Sequence, residues 1–229
     1  TVYQRVLAIA NKEQRGYITP QEFNLFANQA QMDIFEQYFY DLNQFLRVRG
    51  NNKEYSDMVT LLEEKISLFE ESASIQYSAT GGYHDVSTVT SEIYRIGSIL
   101  TTPGYRICER VGKKEIVLLN NSPLIKPGSS NPVYVLGENN NIYVYPTGIT
   151  SDLEINFIKK PNRVEWQYTV VGDKALWTGN IDFDFELHVS EQTEVILNVL
   201  LYAGIVIRDP QIIQTAAQEL QQDEANEKS

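Results

Sequence analysis

Between Pro20 and Gly50 the chain carries neither glycine nor proline. Few features narrow its folding options more. The stretch opens with a helix-start signal: Thr19 can cap, Pro20 sits where a missing N–H costs nothing, and Glu22 is placed to reach back to the cap. Within the stretch Gly16–Arg47 the spacing predicts one helix of roughly 28 residues, beginning at this signal and about 42 Å long at 1.5 Å per residue.

The apolar surface of this helix changes along its length. Phe23, Phe26, Ala27, Ala30 and Ile34 form a stripe at helical spacing, which Tyr38 and Phe45 continue. In the second half Phe35, Phe39, Leu42 and Leu46 occupy an adjacent face, so the apolar arc spans about half the circumference, wider than a one-sided surface helix needs. The second half is therefore expected to be covered on two sides, by its own core and by a further layer or a neighbouring subunit. Phe35, Phe39, Leu42 and Leu46 are the candidate subunit-contact residues.

The remaining pattern reads as α+β: an N-terminal helical hairpin with the long helix, a central antiparallel β-rich region, and two C-terminal helices. Val2–Asn11 reads as a short helix. Ser56 caps a helix to about Ser74, with Met58, Leu62, Ile66, Phe69 and Ala73 on one face, antiparallel to the long helix across a short loop. From Ile75 to Glu186, β-branched and aromatic runs broken by Gly, Pro and Asn predict strands at Ile93–Leu100, Tyr105–Val111, Ile116–Leu119, Val133–Leu136, Ile142–Tyr145, Asp152–Ile158, Val164–Val171 and Ile181–Leu187. Gly137–Asn141 is the clearest hairpin turn. Ser190 caps a helix carrying Leu197, Leu200 and Leu201 and stopped by Gly204; Asp209–Pro210 starts another. The expected organisation is 1–76 helical, 77–188 β-rich, 189–221 C-terminal helices packing on the helical part, and 222–229 a flexible acidic tail.

Charge excludes some functions. The net charge is −11 over 229 residues, with no cluster of Lys and Arg to neutralise phosphates. Tight nucleic-acid binding and membrane-surface binding are both disfavoured. No apolar run reaches transmembrane length and the N-terminus lacks a signal peptide's apolar core, so the expected compartment is a reducing cytosol. The single cysteine, Cys108, is expected in the core.

Chemistry-bearing patterns are sparse. His84 and His188 match no zinc spacing. Asp182, Asp184 and Glu186 alternate with Ile181, Phe183, Phe185 and Leu187; such carboxylates suit acid/base work or divalent cations, but alternation is also what a half-buried strand gives. Their expected place is a solvated acidic face, one that repels phosphate if it borders a lumen. No serine lies in a G-x-S-x-G elbow, and no P-loop, Rossmann fingerprint or EF-hand loop is present. No catalytic residue, metal or cofactor is assigned. Trp166 and Trp177 are read as core or rim residues, or as interface anchors.

Four stretches carry a resemblance: NKEQRGYITPQEFNLFANQAQ (Asn11–Gln31), IYRIGSIL (Ile93–Leu100), INFIKKPNRVEWQY (Ile155–Tyr168) and FELHVSEQTEVILNVLLYAGIVIRDPQIIQTAAQE (Phe185–Glu219). Their order and content resemble structural proteins of tailed phages, in particular the ring (portal–tail adaptor or connector) proteins of crAss-like and related short-tailed phages. The resemblance implies a virion protein without an active site that forms a homo-oligomeric ring, a dodecamer matching a portal. It also implies the portal and other tail or ring proteins as neighbours, and DNA passing without specific binding. The competing expectation is a tail-associated hydrolase using Asp182, Asp184 and Glu186, although glycosidases need carboxylates facing each other across the sugar.

Overall fold

The structure is a computed structural model describing residues 2–12, 18–47, 53–138, 141–172, 174–179 and 183–207. Five helices are described: α1 (Val2–Lys12), α2 (Pro20–Arg47), α3 (Lys53–Ser67), α4 (Glu115–Asn121) and α5 (Gln192–Ile207). The strands are β1 (Glu70–Ser78), β2 (Tyr83–Asp85), β3 (Ile93–Thr101), β4 (Arg106–Arg110), β5 (Val133–Leu136), β6 (Ile142–Tyr145), β7 (Leu153–Lys159), β8 (Tyr168–Val171) and β9 (Lys174–Trp177). They divide into two compact units, one of Thr1–Leu68 with Pro161–Ser229 and one of Phe69–Lys160.

In the helical unit, α2 starts where its capping residues demand. The Thr19 N–H donates to Glu22 Oε2 at 2.9 Å, and the Glu22 N–H donates to Thr19 Oγ1 at 3.2 Å. These reciprocal bonds satisfy donors that a helix start leaves without partners. Helix α2 buries Phe23, Ala27, Ala30, Ile34, Phe35 and Tyr38, and packs against α3 and α5. Helix α5 turns Val195, Ile196, Val199, Leu200 and Ala203 inward, at helical spacing, and also packs on α1. It runs through Gly204 to Ile207 rather than stopping at the glycine.

The second unit is a closed barrel of seven strands in the order β1-β2-β6-β5-β4-β3-β7, with β7 returning to β1. On β7, Leu153, Ile155 and Phe157 are buried while Glu154, Asn156 and Ile158 alternate with them. The buried set packs with Ile75, Ile99, Cys108, Tyr134, Ile142 and Val144. Burial pushes the Cys108 thiol up to about 11, so it is an inert core group. At Gly97, where the β3–β7 register shifts, a Cβ would stand 3.0 Å from the Asn156 carbonyl oxygen, so glycine allows the strands their close approach.

The barrel overturns the expected fold of a helical hairpin, an antiparallel β-rich region and two C-terminal helices. Its sheet is mixed: β4 and β5 run parallel, pairing Glu109 with Val133 and Arg110 with Tyr134. Parallel neighbours need a crossover connection, usually helical. Helix α4 lies in that connection, which is why Ile116–Leu119 is helical rather than the expected strand. Ile116 packs with Val111, Val133 and Val135, so β5 is buried on both faces. The helix expected to reach Ser74 ends at Ser67, and Glu70–Ser78 is β1. Residues 161–188, expected in the β-rich part, group with the helices instead. One C-terminal helix is described, and the segment from Asp209 lies outside the described residues.

His84 is buried at the β2–β6 seam, which a single residue pair, His84 with Ile142, holds in register. Its Nε2 lies 2.9 Å from the Ser151 carbonyl oxygen, and its Nδ1 has no partner among the described residues. Burial pulls its pKa below the ordinary value; the Ser151 and Ile142 backbones and Asp152 pull upward and are outweighed. The folded barrel thus holds a neutral imidazole, whereas the unfolded chain binds a proton near pH 6.5. Stability is full above that pH and falls as the pH drops towards the depressed folded value. Urea unfolding at pH 8, 6.5 and 5 should show the midpoint falling across this window, and His84→Gln should remove most of that slope.

Candidate functional site

The helical unit is closed by an extended segment laid along α2. Asn28 reads both backbone groups of Val164: its Oδ1 accepts from the Val164 N–H at 2.9 Å and its Nδ2 donates to the Val164 carbonyl at 2.7 Å. One turn earlier, Asn24 Oδ1 accepts from the Trp166 N–H at 2.8 Å, and its Nδ2 reaches the Trp166 carbonyl at 3.4 Å. One turn later, Gln31 donates to the Asn162 carbonyl at 2.7 Å and accepts from the Glu186 N–H at 3.1 Å.

The match is geometric. Four helical residues rise about 6 Å, and two extended residues advance about 6.6 Å. Amides at positions 24, 28 and 31 therefore meet alternate residues 166, 164 and 162 of a segment running the opposite way. The helix face presents donors and acceptors as a neighbouring β-strand would.

Beside this strap lies a cleft of two adjoining hollows, about 160 and 200 Å³, which share Val2, Asp184, Phe185 and Gln192. Its floor is aromatic. Tyr3 stands 4.7 Å from Phe23 and 4.3 Å from Trp166, centroid to centroid. Trp177 and Phe183 also line it, and both are exposed. Glu165 and Asp184 supply its carboxylates, and no lysine or arginine lines either hollow among the described residues. The Trp166 Nε1–H is buried without an acceptor among the described residues.

At the far end of the cleft, Glu191 is buried and engages Lys65 at 2.6 Å. Burial pushes its carboxyl pKa up, but hydrogen bonds with Glu194, Lys65 and Ser190 and the lysine's charge outweigh burial and hold it below the usual range. The Lys65 ammonium also sits 5.4 Å from the Tyr38 ring centroid. Elsewhere in the unit, the Tyr202 hydroxyl donates to Asp33, and burial together with that carboxylate pushes the phenol up to about 12.

The expected site residues scatter. Phe35 is 0 % exposed, and its ring meets Phe39 edge-on at 5.0 Å. Its own chain covers it, so it offers no area to another copy. Phe39 and Leu42 are partly buried, and the Leu46 side chain lies outside the described residues.

The expected Ile181–Leu187 strand is absent as far as it is described, Phe183–Leu187 being turn, bend and irregular backbone; Asp182 lies outside the described residues. Asp184 accepts from the Phe185 N–H at 2.8 Å, a local bond that competes with strand pairing. Glu186 accepts from the Asn162 N–H and side-chain amide at 2.9 and 2.7 Å, so this partly exposed carboxylate fastens the strap. The sequence reading missed Asn24, Asn28 and Gln31. The available signal was three amides at helical spacing beside an otherwise apolar arc.

A scan against protein-family models and a search of curated proteins return no match to this chain. Among the described residues, no helix is long and apolar enough to cross a membrane, and no cluster of three His, Cys, Asp or Glu is placed to hold a metal.

Proposed function

We propose that the chain is a non-enzymatic structural subunit of a tailed-phage connector ring, placed in the virion between portal and tail. In this reading twelve copies form the ring, the portal and other tail proteins are its neighbours, and DNA passes without being bound. The family likeness of the four stretches supplies the phage setting, and the net charge of −11 suits a passage through which DNA moves without sticking.

The observation that carries the assembly reading is the β8–β9 hairpin. It is a two-stranded sheet pairing Tyr168 with Trp177 and Thr169 with Leu176. Alternation puts Val170 on the Trp177 face and Val171 on the Leu176 face, and these four residues are 46–64 % exposed. An isolated two-stranded sheet is marginal in water. Apolar residues on both of its faces gain from a covering layer supplied by another chain. A contact of this kind, repeated about an axis, closes into a ring when the rotation divides a full turn.

The hydrolase reading loses support, because Glu186 is tied to Asn162 and Asp184 to its own backbone neighbour. Sedimentation decides the assembly reading. The wild-type chain should form a species several times its 26.2 kDa, and Val170→Asp with Leu176→Asp should return it to the monomer without loss of circular-dichroism signal. Identical sedimentation of the two proteins would count against the proposal.

A further inference from the structure

We propose that the aromatic cleft of the helical unit is a binding site for an arginine side chain presented by a partner protein. Three observations converge on this occupant. Tyr3 and Phe23, 3 % and 2 % exposed, pack with Trp166 as a buried aromatic base, and the ring surface open to an occupant is that of Trp177 and Phe183, 46 % and 38 % exposed. Ring faces attract cations through their quadrupole, and the attraction grows as water is excluded. Glu165 and Asp184 then supply the opposite charge, with no lysine or arginine of the described chain among the lining residues to neutralise them.

Volume points the same way. The hollow against the rings is about 160 Å³, room for one side-chain head group, and the adjoining hollow of about 200 Å³ leaves space for the chain that carries it. Arginine fits better than lysine, because a planar, weakly hydrated guanidinium stacks on rings while donating to carboxylates in parallel. This inference stands apart from the ring reading, since an arginine on any partner satisfies it.

The chain carries two tryptophans, and both line this hollow, so intrinsic tryptophan fluorescence reports on the cleft alone. The full chain would be titrated with N-acetyl-Gly-Arg-Gly-amide and with the same peptide carrying citrulline, which keeps the shape and loses the charge. The arginine peptide should give a saturable change, and the citrulline peptide should bind about ten-fold or more weakly. Asp184→Asn keeps an acceptor for the Phe185 N–H, and with Glu165→Gln it should weaken arginine binding several-fold while the far-ultraviolet spectrum stays unchanged. Equal responses to the two peptides, or an unsaturable change in both, would overturn the proposal. So would arginine binding that the double variant leaves intact.

Discussion

Replacing Lys65 with methionine should destabilise the helical unit by about 3 kcal/mol or more at neutral pH. The lysine stem would be kept in volume, so packing changes little, but Glu191 would be left as a buried carboxylate without its 2.6 Å partner. Breaking a buried pair from one side costs about 3–5 kcal/mol, because the remaining charge keeps its desolvation penalty and loses its compensation. The two side chains are 12 % and 7 % exposed, so solvent screens the pair little. The pH dependence supplies a check on the cause. A carboxyl held below its usual pKa contributes stability that is present above the unfolded value near 4.5 and lost as the pH falls through the folded value. The difference between wild type and Lys65→Met, read from urea midpoints, should therefore be full at pH 7, begin to shrink as the uncompensated Glu191 of the variant takes its proton, and vanish in acid once the wild-type carboxyl is protonated too. A difference that persists unchanged in acid would mean that the lysine acts through packing or its contact with Tyr38 instead.

Asn28→Ala should cost about 2–3 kcal/mol. It removes the two hydrogen bonds to Val164, at 2.9 and 2.7 Å, together with the local one from its Nδ2 to the Asn24 carbonyl at 2.6 Å, and leaves the Val164 N–H and carbonyl unanswered against the helix. A net hydrogen bond contributes about 1 kcal/mol, and an unsatisfied buried backbone group adds its own desolvation cost. Two conservative variants separate the halves of the contact. Asn28→Asp keeps the acceptor for the Val164 N–H but sets a carboxylate against the Val164 carbonyl, so it should be at least as damaging as alanine at neutral pH and recover in acid as the carboxyl takes a proton. Asn24→Ala should cost less, because one of its two bonds is long at 3.4 Å. Hydrogen exchange of the Val164 and Trp166 amides would read the strap directly, and unchanged protection at Val164 in Asn28→Ala would refute the role given to the ladder.

Local chemistry was legible where neighbours in sequence are also partners in space. The Thr19–Glu22 box fixed the start of α2, and Val133–Leu136 and Ile142–Tyr145 are strands at the residues read from their pattern. The turn between them closes through Gly137 and Asn141, whose backbones bond at 2.8 Å. Where distant pairing decides the state, the pattern was ambiguous. Ile116–Leu119 is too short a run for its period to choose helix over strand, and the parallel pairing of β4 with β5 chose helix. Ala73 lies four residues from Phe69, which suits a helix, but also two from Ile75, and pairing with β7 selected the second reading. The breadth of the apolar arc on α2 was legible, but its meaning was not. Phe35 is covered by its own chain, and the amides that hold the strap share the helix with the apolar stripe.

The barrel interrupts the helical unit in sequence: the 92 residues from Phe69 to Lys160 separate α3 from the strap that α2 awaits. On a ribosome this sets an order of events. Residues of the barrel are contiguous and can close as soon as they emerge, whereas α2 must wait for the strap and α5 to be synthesised. At about 5–20 residues per second that wait lasts seconds, and the parts of α2 that meet the strap and α5 stay unprotected throughout. In a nascent chain of this design the long helix therefore stays without its strap for as long as the barrel takes to be made.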